Sequence, residues 1–223
     1  MISEYQMGDI FDRHLKKSKF IRNKNFTSIV REREFKTGIP DFLCSSSEQN
    51  LNLYNFVKNT KRDLRNCSRI LAQLKNKAPR KISYISQQTN LNKSFIKNTL
   101  GEMLDYNLVK KANDCFTFDK FKISDIDLWS FELKLNDWKG AIHQASRYSI
   151  FSNRSIVVLP INKKGIVEKN LSVFQRYGIG VLLFDYENDE AQFKIYPKNF
   201  SNLLKSEFIY AFMLLNNEIY EKA

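Results

Sequence analysis

Ile126-Asp127-Leu128-Trp129-Ser130-Phe131-Glu132-Leu133-Lys134-Leu135 alternates in character along its length. In an extended chain, Trp129, Phe131, Leu133 and Leu135 face one way, and Ser130, Glu132 and Lys134 face the other. The period of two predicts a strand with one large apolar face and one face that carries a carboxylate and an ammonium. Downstream, Asn136 is placed to cap a helix running to about Phe151. Ser155 to Leu159 reads as a buried strand ending at Pro160. A helix from Lys164 to Tyr177 then leads through Gly178 to a strand, Ile179 to Asp185. Ala191 to Tyr196 is another strand, and residues 200–221 form a terminal helix. This succession predicts an α/β core.

Working upstream, residues 4–21 read as a helix with Ile10, Phe11, Leu15 and Phe20 as buried positions. Residues 26–36 read as a strand, Thr37-Gly38 as a turn, and Ile39 to Cys44 as a second strand paired back as a hairpin. Ser45-Ser46-Ser47-Glu48 is a loop. Between this hairpin and the alternating strand lies a segment of different character. Residues 51–76 place Leu53, Phe56, Val57, Leu64, Ile70, Leu71 and Leu74 at helical spacing, and Pro79 ends that stretch. From Ile82 to Phe118 the pattern is a short helix, a turn at Thr89-Asn90-Leu91-Asn92, a helix from about Lys93 to Tyr106, and two short strands. Those strands, Leu108 to Lys111 and Cys115 to Phe118, are joined by Asn113-Asp114.

The charge is concentrated in the same segment. The 223 residues carry a net charge of +12. Residues 51–112 hold thirteen bases and three acids, a balance of +10, while residues 113–223 hold fourteen of each. A concentrated basic segment implies a polyanionic partner, bound through phosphate contacts and counterion release. No apolar run reaches the roughly 20 residues that span a bilayer. Met1-Ile2-Ser3-Glu4-Tyr5 has no apolar core behind a basic start, so no secretory signal is expected. Cys44, Cys67 and Cys115 are far apart and lack a Cys-x-x-Cys. That argues against a disulfide framework or a cysteine zinc site and fits a reducing, cytoplasmic setting. With His14 and His143 as the only histidines, a histidine-built zinc enzyme is not expected.

The helix, turn, helix and β-wing pattern resembles a winged helix-turn-helix of the repressor type. That resemblance places Lys93, Ser94, Lys97 and Asn98 early in a recognition helix, and Lys110 and Lys111 in the wing, as DNA contacts. A winged helix used for protein contacts, or as a spacer, is the competing reading.

A second resemblance rests on Pro40-Asp41 followed by Glu132-Leu133-Lys134, with Gln144-Ala145-Ser146-Arg147-Tyr148 on the next helix. Pro-Asp, Glu-x-Lys and Gln-x-x-x-Tyr in this order are similar to the PD-(D/E)XK (restriction-endonuclease-like) nuclease superfamily, the last motif to its RecB-like branch. The resemblance covers residues 26–44 and 126–185. It implies that Asp41 and Glu132 bind Mg²⁺, with Mn²⁺ able to substitute, and that Lys134 orients or activates the attacking water. Gln144 would help hold the ion's water or the phosphate, with Tyr148 one turn away. Glu34, seven residues before Asp41, stands where related families place another acid. Glu4 and Asp12 are not assigned to the site, and neither is His143. Ninety residues lie between Asp41 and Glu132, more than is usual in that family, and the inserted winged helix accounts for the gap.

The expected architecture is therefore α/β: a restriction-endonuclease-like mixed-sheet core flanked by helices, formed by residues 1–50 and 121–223. Residues 51–120 would form an inserted helix plus a winged-helix domain. The expected activity is Mg²⁺-dependent DNA endonuclease action that leaves 5′-phosphate and 3′-hydroxyl ends, with double-stranded DNA as the partner and no membrane association. Two other readings stand beside it. One is a non-catalytic DNA-binding or regulatory protein with a degenerate nuclease fold. The other is a nuclease subunit that needs a partner. A homodimer or another protein partner is left open.

Overall fold

The structure, a computed structural model, describes residues 2–17, 25–48, 50–119, 123–201 and 203–218. In chain order its elements are α1 (Glu4–Lys17), β1 (Ser28–Arg31), β2 (Phe42–Ser45), α2 (Leu51–Asn59), α3 (Leu64–Gln73), β3 (Arg80–Lys81), α4 (Ile82–Thr89), α5 (Lys93–Asp105), β4 (Val109–Ala112), β5 (Cys115–Phe118), β6 (Leu128–Leu133), α6 (Trp138–Tyr148), β7 (Arg154–Pro160), α7 (Lys164–Lys169), α8 (Leu171–Tyr177), β8 (Gly180–Asp185), β9 (Glu190–Ile195) and α9 (Lys205–Glu218). The end of the expected first helix, Phe20 included, and the last residues of the terminal helix lie outside the described residues. No described helix is long and apolar enough to cross a membrane. The chain forms two compact units, Met1–Ser47 with Asp127–Leu203, and Glu48–Ile126 with Leu204–Ala223.

In the first unit the described strands form a mixed six-stranded sheet in the order β1-β2-β6-β7-β8-β9. Neighbours β6, β7 and β8 run parallel; the other pairs are antiparallel. The two inner parallel strands read as continuous apolar runs, Ile156 to Leu159 and Val181 to Phe184, because both of their faces are covered. One face receives α1. Ser3 and Gln6 form a capping box at its start: the Ser3 N–H donates to Gln6 Oε1 at 2.9 Å and the Gln6 N–H donates to Ser3 Oγ at 3.1 Å. Met7, Phe11 and Leu15 then fall on one stripe and pack with Phe42, Phe131, Leu133 and Phe184 in the core.

The other face receives α6, whose buried side is Ala141, Ile142, Ala145 and Tyr148. Its N-cap is Asp137, which accepts from the Gly140 N–H at 2.8 Å. Asn136, the expected cap, instead accepts from Lys163 Nζ at 2.7 Å. The small alanines let α6 approach the sheet closely. The single helix expected over residues 164–177 is two, α7 and α8, broken at Asn170, whose amide donates to the Ile166 carbonyl at 2.8 Å.

The hairpin strands are shorter than expected, and the reason is local. Glu32 takes a left-handed conformation, φ 49°, which ends β1 at Arg31. Pro40 has no N–H to give to a ladder. Between them the chain closes through an isolated bridge from Phe35 to Gly38. Phe35 stacks on Phe151 at 4.0 Å between ring centroids, which anchors the hairpin tip to the segment after α6.

In the second unit, the stretch expected as one helix over residues 51–76 is α2 and α3, with Asp63 capping α3 through the Arg65 N–H at 3.0 Å. The terminal helix was expected with the sheet. It belongs instead to this unit, where α9 packs on α2 and α3. Arg65 makes the connection specific: it reaches Glu207 at 3.2 Å and lies 4.4 Å over the Tyr210 ring. The Asn90 turn, φ 55°, joins α4 to α5, and β3, β5 and β4 form a three-stranded antiparallel sheet beside them.

Candidate active site

The carboxylates meet because of strand register. β2 and β6 pair with Phe42 opposite Phe131. One residue further on, Asp41 stands opposite Glu132, and directly opposed residues share a face. The same arithmetic applies to β1 and β2. Arg31 pairs with Phe42, and the Glu32 N–H donates to the Asp41 carbonyl at 3.2 Å. The acid across from Asp41 is therefore Glu32. Glu34 lies two residues on, exposed in the hairpin loop.

Asp41 Oδ2 accepts from the Leu133 N–H at 2.6 Å. This bond docks Pro40-Asp41 onto the carboxyl end of β6, the end of a parallel strand at which open α/β sheets place ligands. Asp41's other oxygen accepts no hydrogen bond from any described residue. Glu132 is buried, with 1% of its surface exposed. A carboxylate in that position is held by what it touches: Lys134 Nζ lies 3.1 Å from Oε1, and the Tyr148 hydroxyl lies 2.6 Å from Oε2. So the second face of β6 is not a solvated strand face; α6 covers it.

Tyr148 ties the two acids together. Its hydroxyl is 2.9 Å from the Ile39 carbonyl and 2.6 Å from Glu132. The phenol has one proton for two acceptors. All three groups are paired when Glu132 is protonated and donates to Tyr148, which then donates to Ile39. When Glu132 is ionised, Tyr148 must donate to it, and the Ile39 carbonyl is left facing an oxygen. Gly38 makes this approach feasible. It has φ 143°, and a Cβ there would sit 3.2 Å from Tyr148 Cε1.

The electrostatics follow from crowding. Burial raises the Glu132 carboxyl above its ordinary range, the Asp41 charge raises it further, and the bonds to Tyr148 and Lys134 only partly offset this. Burial raises Asp41 as well, with Glu4 and Glu32 adding to the shift and the Leu133 N–H and Lys134 opposing it. Burial pulls Lys134 down, but Glu132, Glu4 and Asp41 outweigh it, and its ammonium is held above the usual lysine value. Burial and Glu132 together push the Tyr148 phenol well up, so it serves as a donor and not a base.

Sequence reading set Glu4 aside. In the structure its Oε1 accepts from the Leu135 N–H at 3.0 Å, and its Oε2 lies 3.5 Å from Lys134 Nζ. The signal was present in Ser3-Glu4-Tyr5-Gln6, since the capping box fixes Glu4 at the first turn of α1. Glu4, Glu32 and Asp41 line one small cleft of about 160 Å³ together with Tyr5, Gly8 and Leu133. Gln144 is half-buried one turn before Tyr148, and its amide makes no hydrogen bond to a described residue. His143 is exposed.

Among the described residues, no three His, Cys, Asp or Glu side chains stand together as a complete metal cage. Asp41 and Glu132 could together offer a cation two carboxylates. That suits Mg²⁺, which keeps several waters and takes one or two carboxylates, better than Zn²⁺ or Ca²⁺. The unbonded oxygen of Asp41 and the mutual repulsion of Asp41 and Glu132 are features that a divalent cation would satisfy.

A second constellation lies in the other unit. On α5, Ile96, Thr99, Leu100 and Met103 are buried, while Lys93, Ser94, Lys97 and Asn98 are exposed together. Lys97 and Lys111 line a cleft of about 420 Å³ with Lys81, Ser83 and Asp114, over Ile82 and Phe116. Lys81 was not singled out in the sequence. Lys110 alternates away from Lys111 along β4 and pairs with Asp119 at 2.5 Å, so its charge is partly neutralised beside the β4–β5 hairpin.

Compared with known proteins, the chain matches no family model, no curated protein and no solved structure.

Proposed function

We propose that the chain is a divalent-cation-dependent DNA endonuclease of the PD-(D/E)XK, restriction-endonuclease-like type, with a winged helix as its DNA-gripping module. The observation that carries this reading is the register that sets Asp41 across from buried Glu132, with Lys134 bonded to the latter. Asp41 and Glu132 would hold Mg²⁺ or Mn²⁺. The ion supplies Lewis-acid stabilisation of the phosphoryl oxygens and lowers the pKa of an attacking water. Lys134 positions that water and offsets the charge that develops on the phosphate. Tyr148 orients Glu132, and Gln144, whose amide bonds to no described residue, would serve the water or the phosphate. In-line attack leaves a 5′-phosphate and a 3′-hydroxyl.

The test incubates the full chain with supercoiled, linear and single-stranded DNA in Mg²⁺, Mn²⁺ or EDTA, and then analyses the ends of the products. Cleavage that requires the ion and leaves 5′-phosphates is expected. Binding without cleavage in every condition would leave the non-catalytic reading in its place.

The basic cleft supports DNA as the partner. Replacing Lys81, Lys97 and Lys111 together by Ala is expected to weaken DNA binding. The slope of log K against log salt should fall by about 0.9 for each phosphate contact removed. An unchanged slope, measured by fluorescence anisotropy across a salt series, would mark this face as a protein-docking surface.

A further inference from the structure

The bases nearest the carboxylates are almost all committed. Lys134 sits between Glu132 and Glu4. Arg31 pairs with Asp9 at 2.6 Å and lies over the Tyr5 and Phe42 rings. Arg147 differs. It is exposed, and its guanidinium makes no hydrogen bond or ion pair with any described residue.

Its position is defined by its neighbours. Arg147 Nη2 lies 3.7 Å from the point that a Cβ on Gly38 would occupy. The guanidinium is therefore over the turn of the hairpin whose next residues are Ile39, Pro40 and Asp41. Gly38 and Asp41 are three residues apart, at most about 11 Å of extended chain. The adjacent residue on α6 is Tyr148, which holds Glu132 and the Ile39 carbonyl. So a group bound by Arg147 is fixed relative to both acids through one rigid helix.

A phosphodiester strand that enters this site meets Asp41, Glu132, Glu4 and Glu32. The one ammonium among them is already paired. Such a strand needs a fixed cation outside the carboxylate cluster, and an uncommitted guanidinium suits a phosphate through its planar fork of donors. We propose that Arg147 is a binding residue that grips a backbone phosphate flanking the one being cut and so sets the strand's register against Asp41 and Glu132. This rests on the nuclease reading above. Arg147 takes no part in the bond-making step; it positions the substrate.

The experiment uses end-labelled oligonucleotides in which one phosphate at a time is replaced by an uncharged methylphosphonate. Cleavage at each remaining bond is read on a sequencing gel, for wild type, Arg147→Ala and Arg147→Lys. For wild type, neutralising one particular flanking phosphate is expected to lower kcat/KM by about tenfold or more, the scale of a charged hydrogen bond. Arg147→Ala should cut normal DNA slowly, through a raised KM, and be indifferent to that same neutralisation. Arg147→Lys should recover part of the sensitivity. If Arg147→Ala keeps the full wild-type pattern of sensitivity, Arg147 holds no phosphate, although the nuclease reading stands. If wild type cuts no normal DNA in Mg²⁺ or Mn²⁺, the nuclease reading fails and this proposal fails with it.

Discussion

Asp41→Asn is expected to abolish cleavage and at the same time to make the protein more stable at neutral pH. The loss of activity, about a thousandfold, would follow from removing one of the two carboxylates proposed to hold the cation. The gain in stability follows from the burial and crowding that raise both acids. An acid whose folded pKa lies above its unfolded value binds its proton more tightly in the folded state. Its favourable contribution is present below about pH 4, the ordinary carboxylate value, and is lost as pH rises through the folded value. Asn has no charge to lose and keeps an oxygen to accept the Leu133 N–H. The advantage of Asp41→Asn over wild type should therefore be small near pH 4 and grow towards pH 7. Thermal melts of both proteins across that range check this. A variant less stable than wild type at every pH, or a difference that does not change with pH, would contradict the electrostatic account.

Lys134→Ala is expected to lose cleavage equally and to change stability in the opposite direction. Lys134 is the cation in contact with Glu132 and Glu4. Removing it leaves Glu132 buried beside Asp41 with only Tyr148 to support it. Breaking a buried ion pair from one side destabilises by up to about 3–5 kcal/mol. Here Lys134 keeps about a fifth of its side chain exposed (21%), so a loss of about 2 kcal/mol is expected. Cleavage should fall by about 10²–10⁴ and should not return at higher Mg²⁺, because the ion cannot replace a group that positions the water. Urea denaturation and cleavage rates over an Mg²⁺ series measure both effects. If Lys134→Ala were as stable as wild type, and active at high Mg²⁺, Lys134 would be only a surface counter-charge.

The opposite signs of these two effects arise from one short stretch of sheet, and much of that stretch was legible in the sequence. The alternation through Trp129, Phe131 and Leu133 gave the core face of β6, because a period of two leaves no other arrangement for so many large apolar residues. Glu132 and Lys134 on the opposite side followed from the same period. What period could not show is that this opposite face is buried. That depends on α6 lying close enough for Tyr148 to reach Glu132, a tertiary fact that turns on Ala141, Ala145 and Gly38.

Register was the second gap. Glu34 was favoured because related families place another acid there, but hairpin pairing is decided by opposition across the ladder. A left-handed Glu32 and the Phe35–Phe151 stack were needed to place Glu32 there instead. The terminal helix was misplaced for a similar reason. Its apolar residues show that it must bury a face, but nothing in its own sequence says against which unit. Arg65 and Glu207, 142 positions apart in the chain, supply that specificity only once folded. Glu4 was recoverable, since Ser3 and Gln6 fix the start of α1, but its reach to Lys134 was not.

The nuclease reading requires Asp41 and Glu132 to form a divalent-cation site. A titration of Mn²⁺ into the full chain at pH 7.5, with free Mn²⁺ followed by electron paramagnetic resonance, tests it most directly. A saturable site is expected in wild type, one that Mg²⁺ displaces and that weakens at least tenfold in both Asp41→Asn and Glu132→Gln. Mn²⁺ binding that is the same in all three proteins, or absent from wild type with and without DNA, would contradict it.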